Sequence, residues 1–307
     1  MRYGDPAVWR RFLEKRGIDP ELADAWSRFA RSNIRLIPSS LDEDTTPPGT
    51  SKLGGLPDLP DGVAWPTRGP YAYTREEDDY RPPEAWETQS LSFLAQINLA
   101  DVAAAGCDLP LPSAGLLLFF YDAEVQPWGS EPFDAPGTQV LFVRAGTATR
   151  RPVQGVGRWS PVRPLQLQPS QGLPEWSWLK QEMKGDSGYG VSAFHDELGK
   201  LSEEDHQEIL FEGHAFGGWP CEVQGPMEIE CEMVRHGLNP GQSEAYGDPR
   251  MATLRERAKD WRLLLQLDSD EALDWLWGDC GKLYFWCREE DLAQRRFERA
   301  WTILQCT

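Results

Sequence analysis

Hydrophobic and polar positions follow two rhythms along the chain. Near the N-terminus the rhythm is helical. Trp9, Phe12 and Leu13 recur at spacings of three and four, Gly17 interrupts, and Asp19-Pro20 restarts the pattern before Leu22, Trp26 and Phe29. This predicts a helical hairpin over residues 5–31 that packs by its apolar stripe. Residues 38–50 are polar and rich in Pro, Thr and Asp, the pattern of a linker. From Ser51 the rhythm changes to strands, predicted over Leu91–Asn98, Gly115–Tyr121 and Gln139–Arg144. Residues 122–138 and 145–190 are rich in Pro, Gly, Gln and Trp and read as long ordered loops with short strands. Ser202 and Asp205 form a capping-box pattern that predicts a short helix, and the Gly247-Asp248-Pro249 turn precedes a charged helix over 250–260. The end alternates again. It reads as a strand Leu263–Asp268, a short helix Ser269–Leu276, a turn through Gly278 and Gly281, a strand Lys282–Cys287 and a terminal helix from Glu290.

Three blocks of this pattern occur twice in the same order. Gly54-Gly55-Leu56-Pro57 is echoed by Gly217-Gly218-Trp219-Pro220. Leu94-Ala95-Gln96-Ile97-Asn98 is echoed by Leu264-Leu265-Gln266-Leu267-Asp268. The run Gly115–Phe120 is echoed by Gly281–Trp286. Shared order and spacing imply a duplicated supersecondary unit, with copies over roughly 51–145 and 214–307 around a common core, preceded by an extension over 1–50. The fold expected is α+β: a mainly antiparallel sheet built from the duplicated unit, an N-terminal helical segment and short peripheral helices. Strand alternation puts Phe93, Ala95 and Ile97 on one face, and Gln96 and Asn98 on the other. In the second copy it puts Leu263, Leu265 and Leu267 opposite Gln266 and Asp268. A Gln in an apolar strand needs partners if buried. Either each Gln ties down a loop, such as the Gly-Gly-x-Pro turn of its own copy, or the two polar faces line a shared groove. The paired glycines admit a tight turn or a close ligand approach, with Lys52 placed to meet an anion. They are neither the dinucleotide nor the P-loop pattern.

These blocks, with Trp65-Pro66, Leu109-Pro110, His214 to Pro220, Gln224, Trp277-Gly278-Asp279 and Asp291-Leu292, resemble the YwqG-like family, domain of unknown function 1963, over roughly residues 51–307. The resemblance implies a mixed α+β fold and no agreed catalytic residues. It also implies a setting of bacterial toxin and immunity components. The second copy departs from the Leu-Gly-Tyr/His-Pro form that the family leads one to expect there.

Charge narrows the partners. The 307 residues carry a net charge of −18, which disfavours nucleic acid and anionic membranes and favours a basic protein or a cation. Forty per cent hydrophobic residues and 14 Trp suit a folded core, and no run is long enough to span a membrane. The N-terminus lacks a signal-peptide pattern, and the six cysteines make no C-x-x-C pair. A cytoplasmic protein with free thiols is therefore expected.

Catalytic motifs are thin. Gly185-Asp186-Ser187-Gly188 resembles a serine-protease nucleophile, but all four histidines come later in the chain, against that family's order. His214, Cys221, Cys231 and His236 have no zinc-site spacing, so no metal or cofactor is expected. Glu228, Glu230 and Glu232 would share a face on a strand and read as an acidic surface. The Trp277-Gly278-Asp279 segment reads as a turn anchored by its tryptophan. The candidate binding residues are Lys52, Gly54, Gly55, Gln96, Asn98, Gly217, Gly218, Gln266, Asp268, Trp277 and Asp279. Two functions are open: a noncatalytic binder of a basic protein such as a toxin, or a small-ligand enzyme or sensor using a groove between the copies.

Overall fold

A computed structural model describes residues 5–39, 45–73, 82–147, 149–150, 160–183 and 196–307; the Gly185–Gly188 motif lies outside them. The N-terminal hairpin forms as expected. Asp5 caps α1 (Pro6–Lys15), and Asp19 caps α2 (Pro20–Ser27) by accepting from Glu21 and Leu22 N–H. Trp9 and Leu13 of α1 join Leu22 and Trp26 of α2 in a core with Leu173, Leu179, Leu201 and Ile209. That core is separate from the main one.

Twelve described strands follow: β1 (Arg31–Pro38), β2 (Lys52–Leu53), β3 (Thr67–Arg68), β4 (Gln89–Ser90), β5 (Ser92–Asn98), β6 (Leu116–Tyr121), β7 (Thr138–Val143), β8 (Arg163–Gly172), β9 (Ala215–Phe216), β10 (Trp261–Asp268), β11 (Lys282–Arg288) and β12 (Trp301–Gln305). β3 and β4 make a small ribbon. The other ten form one sheet in the order β12-β11-β10-β9-β1-β8-β2-β5-β6-β7, with every neighbouring pair antiparallel. The helices are α3 (Leu99–Ala104), α4 (Trp176–Met183), α5 (Glu203–Ile209), α6 (Glu228–Arg235), α7 (Met251–Ala258) and α8 (Glu289–Ala293). The fold is α+β. The Ser202–Asp205 capping box that starts α5 is present on both sides.

The sheet is two-fold symmetric in its connectivity. β2, β5, β6 and β7 build one wing, and β9, β10, β11 and β12 build the other in the same order. The central strands are exchanged. β1 precedes β2 in the chain but pairs with β9, whereas β8 precedes β9 but pairs with β2. Registers agree on one dyad. Lys52 faces Gln96 and Pro164, as Ala215 faces Gln266 and Arg35. Carried along the β1–β8 pair, that correspondence puts the dyad where Ile37 faces Gln166. The inner faces of both wings share one core, and the equivalent rings Phe119 and Phe285 meet edge to face across it, 5.2 Å apart.

Four expectations are corrected. First, β5 and β10 each carry a bulge, between Phe93 and Ala95 and between Leu263 and Leu265. Strict alternation therefore fails. Leu94, Ala95 and Ile97 face the common core, while Phe93 turns to a cluster with Leu59, Leu91 and Phe120. Leu263 likewise packs with Met227, Tyr284 and Trp286, apart from Leu265 and Leu267. Second, the chain ends in β12 and not a helix, because α8 stops after five residues and Trp301–Gln305 complete the sheet on β11. Third, the segment Ser269–Leu276 has only a single turn of 3-10 helix at Glu271–Leu273, pinched by an Asp270–Trp275 bridge. Fourth, Glu228, Glu230 and Glu232 start a helix, so Glu228 and Glu232 share a face and Glu230 does not.

Candidate functional site

The duplicated glutamines are buried anchors. Gln96 and Gln266 are both fully buried. Gln96 accepts from Asp58 N–H at 2.9 Å and donates to Thr50 O at 3.0 Å and Asp58 Oδ2 at 2.8 Å. Gln266 accepts from Cys221 N–H at 2.8 Å and donates to Gly213 O at 2.8 Å and Phe211 O at 3.2 Å. Asp58 and Cys221 each lie just past a Gly-Gly-x-Pro turn, so each Gln holds the turn of its own copy. Their side chains line no shared groove. The glycines answer to the protein's own backbone. A Cβ on Gly54 (φ +58°) would stand 2.2 Å from Pro161 O, and one on Gly218 (φ +78°) 2.5 Å from Asn33 Cβ. Gly54 and Gly217 N–H both donate to the bulge residues, Leu94 O at 2.7 Å and Leu264 O at 3.2 Å. Gly55 donates to Ser160 O at 2.9 Å.

Lys52 is fully buried and its ammonium donates to Leu56 O, inside the same turn. Burial pushes the Asp58 carboxyl up, but hydrogen bonds from Gln96, Gly49 and Arg150, with Lys52 nearby, outweigh it and hold Asp58 below its ordinary value. The second copy lacks this pair. Ala215 stands for Lys52 and Cys221 for Asp58. Lysine and acid are replaced together, so neither copy strands a buried charge at this place.

At the strand ends the copies diverge further. Asn98 caps α3 by accepting from Ala100 N–H at 2.9 Å and donates to Gly49 O at 2.9 Å. It also borders a cavity of about 300 Å³ with Gly115 and Arg144. Its N–H donates to Ser51 Oγ, as Asp268 N–H donates to His214 Nδ1 at 3.1 Å. Acceptance at Nδ1 fixes the proton on Nε2, which lies 3.2 Å from Asp270 Oδ2. The hydrogen bond from His214 holds the Asp270 carboxyl below its ordinary value. Burial pushes the Asp268 carboxyl up, although Lys282 Nζ stands 3.4 Å away. Both ring nitrogens of His214 are thus engaged, which leaves it no site for abstracting a substrate proton. Trp277 is buried and donates from Nε1 to Asp268 O at 3.1 Å, anchoring its turn, while Asp279 is exposed. His236 pairs with Glu232 at 3.1 Å on α6, and Cys231 is sealed in an apolar cluster. Among the described residues no three metal-ligating side chains converge.

The sequence reading missed a cavity of about 280 Å³ among α4, α6 and α7, lined by Trp178, Glu182, Glu228 and Lys259 among others. Within reach of the Glu228 charge is a carboxyl pair. The Ser177 hydroxyl stands 3.2 Å from Glu175 Oε2 and 2.9 Å from Glu222 Oε2. Burial, with the charges of Glu228 and Glu175, pushes Glu222 up to about 9, and burial raises Glu175 also. Burial raises Glu228, and it pushes Glu230 up to about 7. The sole signal in the sequence was the Glu228–Glu232 spacing, which strand alternation misassigned.

The family described as Domain of unknown function (DUF1963) matches residues 51–306. The chain belongs to this family. No curated protein matches it. The DUF1963 span begins at Ser51, so β1 lies outside it while occupying the centre of the sheet. The DUF1963 core also presents exposed apolar side chains where the 122–137 segment meets the C-terminal wing. Trp128 and Leu276 are 43% and 52% exposed. Gln126 Nε2 donates to Leu276 O at 3.0 Å, and Leu304 N–H donates to Trp128 O at 3.0 Å, which brings the 122–137 segment against the C-terminal wing. Exposed Glu124, Asp274 and Asp279 lie on the same segments.

Proposed function

We propose that this chain is a noncatalytic binding protein of the cytoplasm whose partner is a basic protein, with an immunity or antitoxin role against a bacterial toxin as its concrete form. The observation that carries this reading is the seam at Trp128 and Leu276. Large exposed apolar side chains stand on segments that also carry exposed carboxylates, on a chain of net charge −18. Aromatic anchors within a charged rim are the usual energetic centres of protein interfaces, and the net charge steers a basic partner toward them. The polar residues duplicated between the copies are spent internally, and His214 is held by both nitrogens, so they supply no nucleophile and base. Six free cysteines suit a reducing compartment. No helix of the described residues is long and apolar enough to cross a membrane.

The test is capture of partners from host extract with the full chain, identification by mass spectrometry, and reconstitution with the purified candidate. Binding should weaken as salt rises. It should fall by tenfold or more, about 1.4 kcal/mol, in a Trp128→Ala, Leu276→Ala double variant. Recovery of no basic partner, together with no protection in a toxicity assay, would count decisively against this function.

A further inference from the structure

Asp291 gathers more positive charge than it balances. It is fully buried in the first turn of α8, and three guanidiniums converge on it. Arg296 donates from Nε to Oδ1 at 2.6 Å and sets its NH2 group on the same oxygen. Arg235, in the last turn of α6, and Arg299 each bring only NH1 to the carboxylate, at 3.4 Å. Among the described residues neither of these two guanidiniums has another hydrogen bond or ion pair. Asp122, a buried carboxylate of the first wing, takes the single arginine Arg68. Nearby carboxylates do not restore the balance at Asp291. Glu298 is exposed and enters no ion pair among the described residues, and Glu232 of α6 meets Arg257 and Arg288 instead. The dipole of α6 offsets only about half a charge at its C-terminus. More than one positive charge is therefore left over. It stands where the three arginine side chains are 28%, 29% and 47% exposed, open to a solute.

We propose that Arg235, Arg296 and Arg299, gathered by the buried Asp291, bind a phosphomonoester dianion. Guanidinium forks match phosphate oxygens with paired N–H bonds. Asp291 takes one edge of Arg296, and the singly held Arg235 and Arg299 keep most of their donors to offer. Charge selects among anions. A phosphomonoester carries about −1.5 to −2 near neutral pH, close to the excess here, whereas a carboxylate or a phosphodiester carries a single charge. The net charge of −18 repels anions at long range, but salt screens that field beyond about 8 Å, and guanidinium and phosphate meet at about 2.8 Å. The same field weighs against nucleic acid, which would lay many phosphates along an acidic surface. The phosphate is carried either by a free small molecule or by a phosphorylated side chain of another protein. The site does not rest on the protein-binding reading.

The experiment is calorimetric titration of the full chain with inorganic phosphate at about pH 8, where the dianion prevails. Acetate and dimethyl phosphate are the singly charged controls, and Nα-acetyl-O-phosphoserine methylamide is the residue-borne arm. Saturable binding of phosphate is expected, with the controls weaker by about tenfold or more. Arg235→Gln and Arg299→Gln should each weaken phosphate by about tenfold. Arg11→Gln, an equal loss of charge at an exposed position of α1, should leave binding unchanged. Tighter binding of the blocked phosphoserine assigns the site to a protein side chain, and binding of inorganic phosphate alone assigns it to a free phosphate. Circular dichroism checks each variant; if Arg235→Gln does not fold, Arg299→Gln, at the most exposed of the three, decides. The proposal is overturned if neither phosphate saturates the wild type, if acetate binds as tightly, or if Arg299→Gln binds as Arg11→Gln does.

Discussion

Glu222→Gln should make the protein's stability less sensitive to pH. Glu222 has an ordinary value of 4.5 and is pushed up to about 9 in the fold by burial, then by the charges of Glu228 and Glu175. The folded state therefore holds a proton that the unfolded chain releases. Its contribution is fully present below the unfolded value and is lost as pH rises toward the folded one. Each tenfold change in proton affinity is about 1.36 kcal/mol, so the ceiling on this loss is about 6 kcal/mol. Glu222 keeps part of its surface in water, and the expected loss is nearer about 2–3 kcal/mol. Glutamine keeps the shape, and its amide can donate to Glu175 as the shared proton did. The assay is urea unfolding at intervals between about pH 5 and about pH 9. Wild-type stability should fall across the range, with a shallower slope in the variant and a crossover in its favour at the alkaline end. Parallel profiles would refute the assignment of the proton to Glu222. A residual slope is expected in both, because burial also raises Glu228 and Glu230.

Gln96→Leu and Gln266→Leu should destabilise by similar amounts, about 2–4 kcal/mol each, by orphaning a buried N–H and its carbonyl partners; denaturant midpoints would show it. Gly54→Ala should cost more than about 3 kcal/mol, because the new Cβ meets the Pro161 carbonyl in a left-handed backbone; thermal unfolding or loss of soluble protein would report it. Fragments 1–150 and 151–307 should each be unstable alone and should copurify when coexpressed, because β1 and β8 complete each other's wing. A stable monomeric fragment with native-like circular dichroism would contradict that dependence.

The fold was legible where side-chain chemistry repeats with the backbone period. Asp5 and Asp19 announce the two helices, and the apolar runs announce β5, β6, β10 and β11. The bulges were not legible, because Leu94 and Leu264 look like any strand leucine; only the paired registers reveal the extra residue. β8 was hidden by its own sequence. Its Gln and Pro content reads as loop, and it holds its place through backbone pairing with β1 along eight residues. β1 carries Arg, Ser and Asn among its apolar residues and stood in what looked like an extension. Of the candidate site, the glutamine anchors were legible as polar residues needing partners. The Glu228 cavity was not, since its walls come from three helices whose docking no local pattern encodes.

What separates the two wings bears more directly on function than what they share. The shared residues, Gln with its Gly-Gly-x-Pro turn and the bulge before it, are satisfied by internal hydrogen bonds in each copy. The cavity arises from helices that interrupt only the second unit: α4 between β8 and β9, and α6 and α7 between β9 and β10. At the corresponding place the first unit inserts the β3–β4 ribbon and buries Arg68 against Asp122. That ion pair is internally matched, and it needs no ligand. The cavity of the second unit mixes Glu182, Glu228 and Glu256 with Arg255 and Lys259, and Arg31 is the buried cation that faces Glu228. The symmetric sheet is therefore the scaffold, and selection for binding is expected to act on its asymmetric insertions. Substitutions in α4 and α6 that spare their apolar faces should leave the unfolding midpoint nearly unchanged, whereas substitution of Gln96 or Gln266 should lower it.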